Sequence, residues 1–256
     1  MIRYLLCWLV LFLPPLSGHA ASQDWTVQID RQTPPATLEK LSASGQDFLG
    51  AFSAHNGRHL NGYVLLLHGA NQHPAWPAVV NPLRLALPKY GWSTLSIELP
   101  ELTGKPNEKN LVVLLDKAST HILAAQTFLQ NKGAKRIVVV AYDLGARMAV
   151  DWLSKTPQSA VNALVLISMA DGEKDSDIGS NMNLLKIDIP ILDIFAEHDS
   201  PRVIAAASER KHYRTRLRHY RQLEIYAADQ YYSQLYSELI KRVRGWLKLI
   251  FTKPKP

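Results

Sequence analysis

Residues 136–149, Arg-Ile-Val-Val-Val-Ala-Tyr-Asp-Leu-Gly-Ala-Arg-Met-Ala, constrain the fold more than any other stretch of the chain. Residues 137–140 are all apolar and β-branched, which is the composition of a strand buried on both faces. A short turn closed by Gly145 follows, and a helical pattern opens directly behind it. The unit reads as strand, tight elbow and helix, with Asp143 at the apex.

Strands and helices alternate along the rest of the chain. Strands are predicted at residues 46–52, 63–67, 93–97, 163–167, 191–195 and 223–226, and helices at 79–89, 108–132, 202–220 and 234–249. In the longest helix Leu111, Leu114, Leu115, Ala118, Ile122, Ala125 and Leu129 form one apolar face. Residues 46–52 read as an edge strand, and His55-Asn56-Gly57-Arg58 reads as a turn, Asn-Gly supplying the positive φ angles a hairpin needs. Residues 21–45 contain Pro34 and Pro35, keep no sustained period, and read as loop with at most a short strand. Such alternation implies an α/β fold, a mostly parallel sheet with helices on both faces. Only about twenty residues separate strands 163–167 and 191–195, too few for a large lid domain, so an open site is expected.

The N-terminus has a different character. Arg3 precedes an apolar run over residues 4–13, then Pro14, Pro15 and the small-residue exit Gly18-His19-Ala20, the layout of a secretory signal peptide over residues 1–21. That run is shorter than the roughly 20 residues of a membrane span, so no transmembrane segment is expected after cleavage. The expected organisation is one domain over residues 22–251, a frayed tail at 252–256, and export to the periplasm. Cys7, the only cysteine, lies in the leader, which excludes disulfides, thiolate nucleophiles and cysteine metal sites from the mature chain. Without Arg3 the 29 basic residues become 28 against 22 acidic ones, a bias that favours anionic surfaces.

Three landmarks resemble the α/β-hydrolase superfamily in order and spacing: Leu65-Leu66-Leu67-His68-Gly69, the elbow at Asp143, and Pro190-Ile191-Leu192-Asp193-Ile194-Phe195 followed by Asp199. More narrowly, His68-Gly69 with His73-Pro74-Ala75-Trp76, then Gly91-Trp92-Ser93-Thr94-Leu95, resembles a bacterial exported family of hydrolase-like proteins whose function is itself unknown. The superfamily pattern at the elbow is Gly-x-nucleophile-x-Gly. Here Ala141 replaces the first glycine and Asp143 stands where serine is the default. The resemblance implies an oxyanion-hole donor at Ala70 or Asn71, a second at Leu144, and a triad acid at Asp199. The catalytic histidine is expected after the last strand, where the chain reads Ala227-Ala228-Asp229-Gln230 and Gln230 takes the histidine's place.

These residues leave two readings open. Dehalogenase and epoxide-hydrolase relatives use aspartate at the elbow, which forms an ester that water must cleave with a general base. A glutamine amide cannot act as that base, and loss of positioned acid–base help costs roughly 10²–10⁴-fold in rate. The chain is therefore either an ester, lipid or halide-releasing hydrolase using Asp143, or a hydrolase-like protein with a degenerate triad that binds a small molecule or lipid. His68, His73 and His198 are the histidines placed to substitute for the missing base. Asp199 has a second reading as a helix N-cap, because Asp199-Ser200-Pro201 precedes a helical stretch.

Arg210, Arg214 and Arg218 recur every four residues, with Tyr213 and Tyr220 interleaved, and on one helix they would form a cationic stripe, either an ordinary solvated helix face or a surface for an anionic envelope partner. Nucleic acid is not an expected partner of an exported chain. Asp171, Asp175 and Asp177 lack the spacing of a calcium loop, and no metal or cofactor is expected.

Overall fold

Strands buried on both faces dominate the architecture. The computed structural model describes residues 24–30, 36–101, 107–172, 179–216 and 219–251. The expected leader and tail lie outside the described residues, as do Asp175, Asp177 and Arg218. Three strands have every residue buried: β3 (Gly62–Leu67), β4 (Trp92–Ile97) and β5 (Ile137–Tyr142). With β1 (Thr37–Ala43), β2 (Gln46–Ser53), β6 (Val161–Ile167), β7 (Ile191–His198) and β8 (Tyr220–Asp229) they form one eight-stranded sheet in the order β1-β2-β4-β3-β5-β6-β7-β8. Pairings from β4 through β8 are parallel, whereas β1–β2 and β2–β4 are antiparallel.

Because side chains alternate along a strand, each buried run feeds two cores. Leu65, Leu67, Val139 and Ala141 meet the apolar faces of α3 (Glu108–Asn131) and α4 (Leu144–Lys155). Val64, Leu66, Val138 and Val140 meet α2 (Val80–Ala86) and α7 (Tyr236–Phe251) on the opposite side. Between β6 and β7 the described residues include only the five-residue helix α5 (Ser180–Leu184), so no lid domain covers the strand ends there.

Several boundaries differ from the sequence reading. The stretch read as loop contains a helix, α1 (Asp24–Asp30), as well as β1. Trp25 and Ile29, four residues apart, bury against Ala51 and Ala75 and hold that helix in place. β2 is an interior strand and β1 is the edge. Asn56-Gly57 makes no hairpin, since β2 pairs with β4 and not with β3. Both backbone N–H groups donate to the Pro88 carbonyl, at 3.1 and 3.2 Å. The basic helix α6 (Pro201–His212) stops well short of Tyr220, which belongs to β8 instead.

Candidate functional site

The C-terminal ends of the parallel strands converge on the elbow. Asp143 has φ 51° and ψ −119°, a left-handed conformation that any residue with a Cβ adopts at a cost. Its surroundings hold it there: its N–H donates to Ile167 O at 3.0 Å, and its carbonyl accepts from Ala146 N at 3.1 Å. Gly145 permits the close approach, because a Cβ at that position would run into the backbone carbonyl of His68. A Cβ at Gly69 would likewise meet the Asp143 carboxylate.

Asp143 Oδ2 accepts a hydrogen bond from Ala70 N at 3.1 Å. Ala70, one of the two residues expected to supply an oxyanion donor, therefore binds the elbow carboxylate itself. Asn71 adopts φ 54° in the exposed turn beyond it. Leu144 opens α4 directly after Asp143.

Asp199 lies buried at the end of β7, 7% exposed, and is not the helix cap. That role falls to Ser200, whose Oγ accepts from Val203 N at 3.4 Å. The Asp199 carboxylate turns inward, where Ser168 Oγ donates to it at 2.6 Å, Ala196 N at 3.0 Å and Ser200 N at 3.2 Å. Burial raises its pKa despite these donors, and the nearby Asp143 charge adds to the rise. Ser168 Oγ also lies 3.0 Å from Tyr232 Oη, and all three groups are sealed from solvent. Neither Ser168 nor Tyr232 stood out in the sequence. The available signal was position, since Ser168 directly follows a buried apolar run and so sits at a strand end.

Gln230 follows β8 as expected, but its contribution is a main-chain one: its carbonyl accepts from Tyr142 Oη at 2.8 Å. Burial first, and then the Asp143 and Asp199 charges, raise the Tyr142 pKa and keep the phenol a neutral donor. Among the described residues no imidazole hydrogen-bonds to Asp143. His68 is buried, with Nδ1 2.8 Å from Gly69 O and Nε2 accepting from Leu99 N at 3.1 Å, so both ring nitrogens are engaged. Burial lowers its pKa to about 4. His73 Nδ1 accepts from Ala75 N at 3.2 Å, and its ring packs between Trp25 and Trp76. His198 is exposed, 3.9 Å from Glu197.

The cationic stripe is corrected by the structure. Arg210 is fully buried and forms a salt bridge to Asp193 at 2.8 Å, with further bonds from Nη1 to Met169 O and Asn181 Oδ1. Tyr220 and Gln222 complete the shell around Asp193. Arg214 lies beyond α6 in a short 3₁₀ turn (Tyr213–Thr215), and Arg218 falls outside the described residues. A fully buried arginine cannot serve a surface stripe, and the arginine spacing reflects an interior ion pair at one of its three positions.

Residues 15–121 and 103–249 match the family described as protein of unknown function (DUF3530). The chain belongs to this family. No curated protein matches this DUF3530 chain in sequence. Its fold is that of α/β-hydrolases. It is similar to Est1E from Butyrivibrio proteoclasticus, with a TM-score of 0.68 and 12% identity over 84% of this chain and 99% of that one. It is also similar to XC6422 from Xanthomonas campestris, described as a serine hydrolase without lid, with a TM-score of 0.67 and 11% identity over 86% and 97%. A dienelactone hydrolase from Anabaena variabilis aligns with a TM-score of 0.67 and 18% identity over 86% and 99%. At these identities the likeness establishes the fold alone.

Proposed function

We propose that this protein is an exported, non-catalytic member of the α/β-hydrolase fold that binds a small molecule or lipid at the elbow. One observation carries the reading: the elbow carboxylate is anchored to Ala70 N, while no described imidazole reaches it. With Oδ2 anchored, Oδ1 is the oxygen left to accept a hydrogen bond from a hydroxyl or ammonium group of a ligand. The apolar leader of the sequence supports export, and the short connection between β6 and β7 supports an open approach.

The hydrolase reading draws on the same anchoring. An aspartate held through one oxygen presents the other as a nucleophile. Attack on an alkyl carbon would form the Oδ1–C bond, and the leaving group would depart with the electron pair of the bond broken. Water must then cleave the ester, and without a positioned base that step is slowed by roughly 10²–10⁴-fold.

The test combines turnover and mass. Activated esters and alkyl halides are offered to the mature protein and to Asp143→Asn, and intact protein is weighed after exposure. Neither turnover nor an adduct is expected. Turnover lost in Asp143→Asn overturns the proposal, and an alkyl adduct on Asp143 replaces it with a stalled hydrolase.

A further inference from the structure

A different set of cations gathers at the other end of the sheet. β3, β4 and β5 begin there, remote from the elbow at the end of β5. Beside their first residues and the last turns of α7 lies a cleft of about 460 Å³. It has an apolar floor that includes Trp92 and Phe251, and its cationic lining is Arg136, Arg244 and Lys248. No acidic residue is among the described residues that line it.

The two arginines are held by aromatic rings and not by carboxylates. Arg136 lies 4.4 Å from the centre of the Phe251 ring and Arg244 4.3 Å from that of Tyr90. Arg136 Nη1 donates to Asn61 O at 2.8 Å, which fixes its orientation. Among the described residues neither arginine has a salt-bridge partner. A guanidinium resting on a π face keeps its N–H edge for two oxygens of one anion, the bidentate geometry suited to phosphate or carboxylate. The cationic lining continues into an adjoining cleft that shares Arg244 and adds Arg221, Lys241 and Arg242, again with no acidic residue among the described lining. In that second cleft Lys241 and Arg242 share Glu238 as partner, so the pair of unmatched guanidiniums remains Arg136 and Arg244.

We propose that this end of the protein is a binding site for the phosphate head of an anionic lipid. Arg136 and Arg244 grip the phosphate, and the apolar part of the lipid lies along Trp92 and Phe251. Free phosphate would satisfy the arginines but leave the aromatic floor unused, which is why the lipid is the better match. The site is independent of Asp143.

The experiment is co-sedimentation of the mature chain with phosphatidylcholine vesicles, with and without phosphatidylglycerol. Wild type is expected to bind only the anionic vesicles, and less at high salt. Each membrane-facing cation contributes about a 5-fold factor, so Arg136→Gln/Arg244→Gln should weaken binding roughly 30-fold and Arg244→Gln alone about 5-fold. The Lys40→Gln/Lys117→Gln control removes the same charge from elsewhere and should bind as wild type. Equal binding to neutral vesicles, or equal losses in the arginine pair and the lysine control, would overturn the proposal. Displacement by millimolar inorganic phosphate would also overturn it, in favour of a free-phosphate site. If the double variant does not fold, Arg244→Gln decides the matter alone.

Discussion

Acidification tests the scaffold beneath the elbow through a single side chain. His68 Nε2 accepts the Leu99 N–H, so the ring proton sits on Nδ1 and is donated to Gly69 O. A second proton would have to go on Nε2, where it would face a donor inside a sealed core. Burial accordingly lowers the pKa from the ordinary 6.5 to about 4. Between those values the unfolded chain binds a proton that the folded chain refuses, so stability is lost as pH falls through the window from 6.5 towards 4. At ~1.4 kcal/mol per pH unit of linkage, the loss from His68 is about 2 kcal/mol by about pH 5 and approaches ~3 kcal/mol below pH 4. Asp199 acts in the opposite sense, because its raised pKa makes the folded state the better proton acceptor just above the ordinary carboxylate range. The comparison is therefore differential: urea unfolding of wild type and His68→Asn at about pH 7 and about pH 5. The variant starts less stable, having disturbed Leu99 and Gly69, but should lose about 2 kcal/mol less on acidification. Identical pH dependence in the two proteins would refute the argument that His68 is held neutral.

Removal of the Asp193 carboxylate as Asp193→Ala strands the fully buried Arg210 charge and should cost ~3–5 kcal/mol, a fall in Tm of roughly 10 °C in a thermal melt. Gly145→Ala drives a methyl group into the His68 carbonyl and should destabilise by ~1–3 kcal/mol or more, read from the same melts. Gly245→Ala is the counterpart, since nothing lies near its Cβ position in α7, and it should stabilise by ~0.5–1 kcal/mol. Ser168→Ala removes the shortest hydrogen bond to buried Asp199 and should cost ~1–3 kcal/mol in urea unfolding, with the loss smaller in acid, where Asp199 is protonated.

The sheet was legible because its strands announce themselves. Runs such as Ile137 to Val140 and Leu65 to Leu67 are apolar on both faces and have no alternative placement in a domain of this size. The long helix was legible from one apolar stripe and the elbow at Asp143 from the strand before it, whereas attention fell on Ala70, Asp199 and Gln230 through the resemblance to α/β-hydrolases. What sequence missed depended on distant partners. α1 is held by two side chains, Trp25 and Ile29, set against residues far along the chain, and seven residues give little periodicity to read. Arg210 looked like a surface cation because its spacing suited a helix face. Its burial follows from Asp193, seventeen residues earlier on an interior strand, which no local pattern reveals. Ser168 and Tyr232, sixty-four residues apart, meet only when β6 and β8 enter the same sheet.

The strained geometry of Asp143 does not by itself speak for catalysis, because the fold enforces it. The β5–β6 ladder fixes the Asp143 N–H, the first turn of α4 fixes its carbonyl, and contact between Gly145 and the β3 end sets how closely helix and strand approach. Any residue at position 143 would inherit that backbone and would differ only in what its side chain reaches. A serine would leave Ala70 N free to stabilise charge developing on a bound substrate. Aspartate occupies that donor with its own Oδ2, and Gln230 adds only a carbonyl to Tyr142 where an imidazole would be needed to activate water. The acid at Asp199 is turned towards Ser168 and Tyr232, so its buried charge is satisfied without a histidine. Each of the three positions that the resemblance assigns to a triad thus has another partner, and placing histidine at 230 alone would bring an imidazole to the strand ends without a carboxylate turned to orient it.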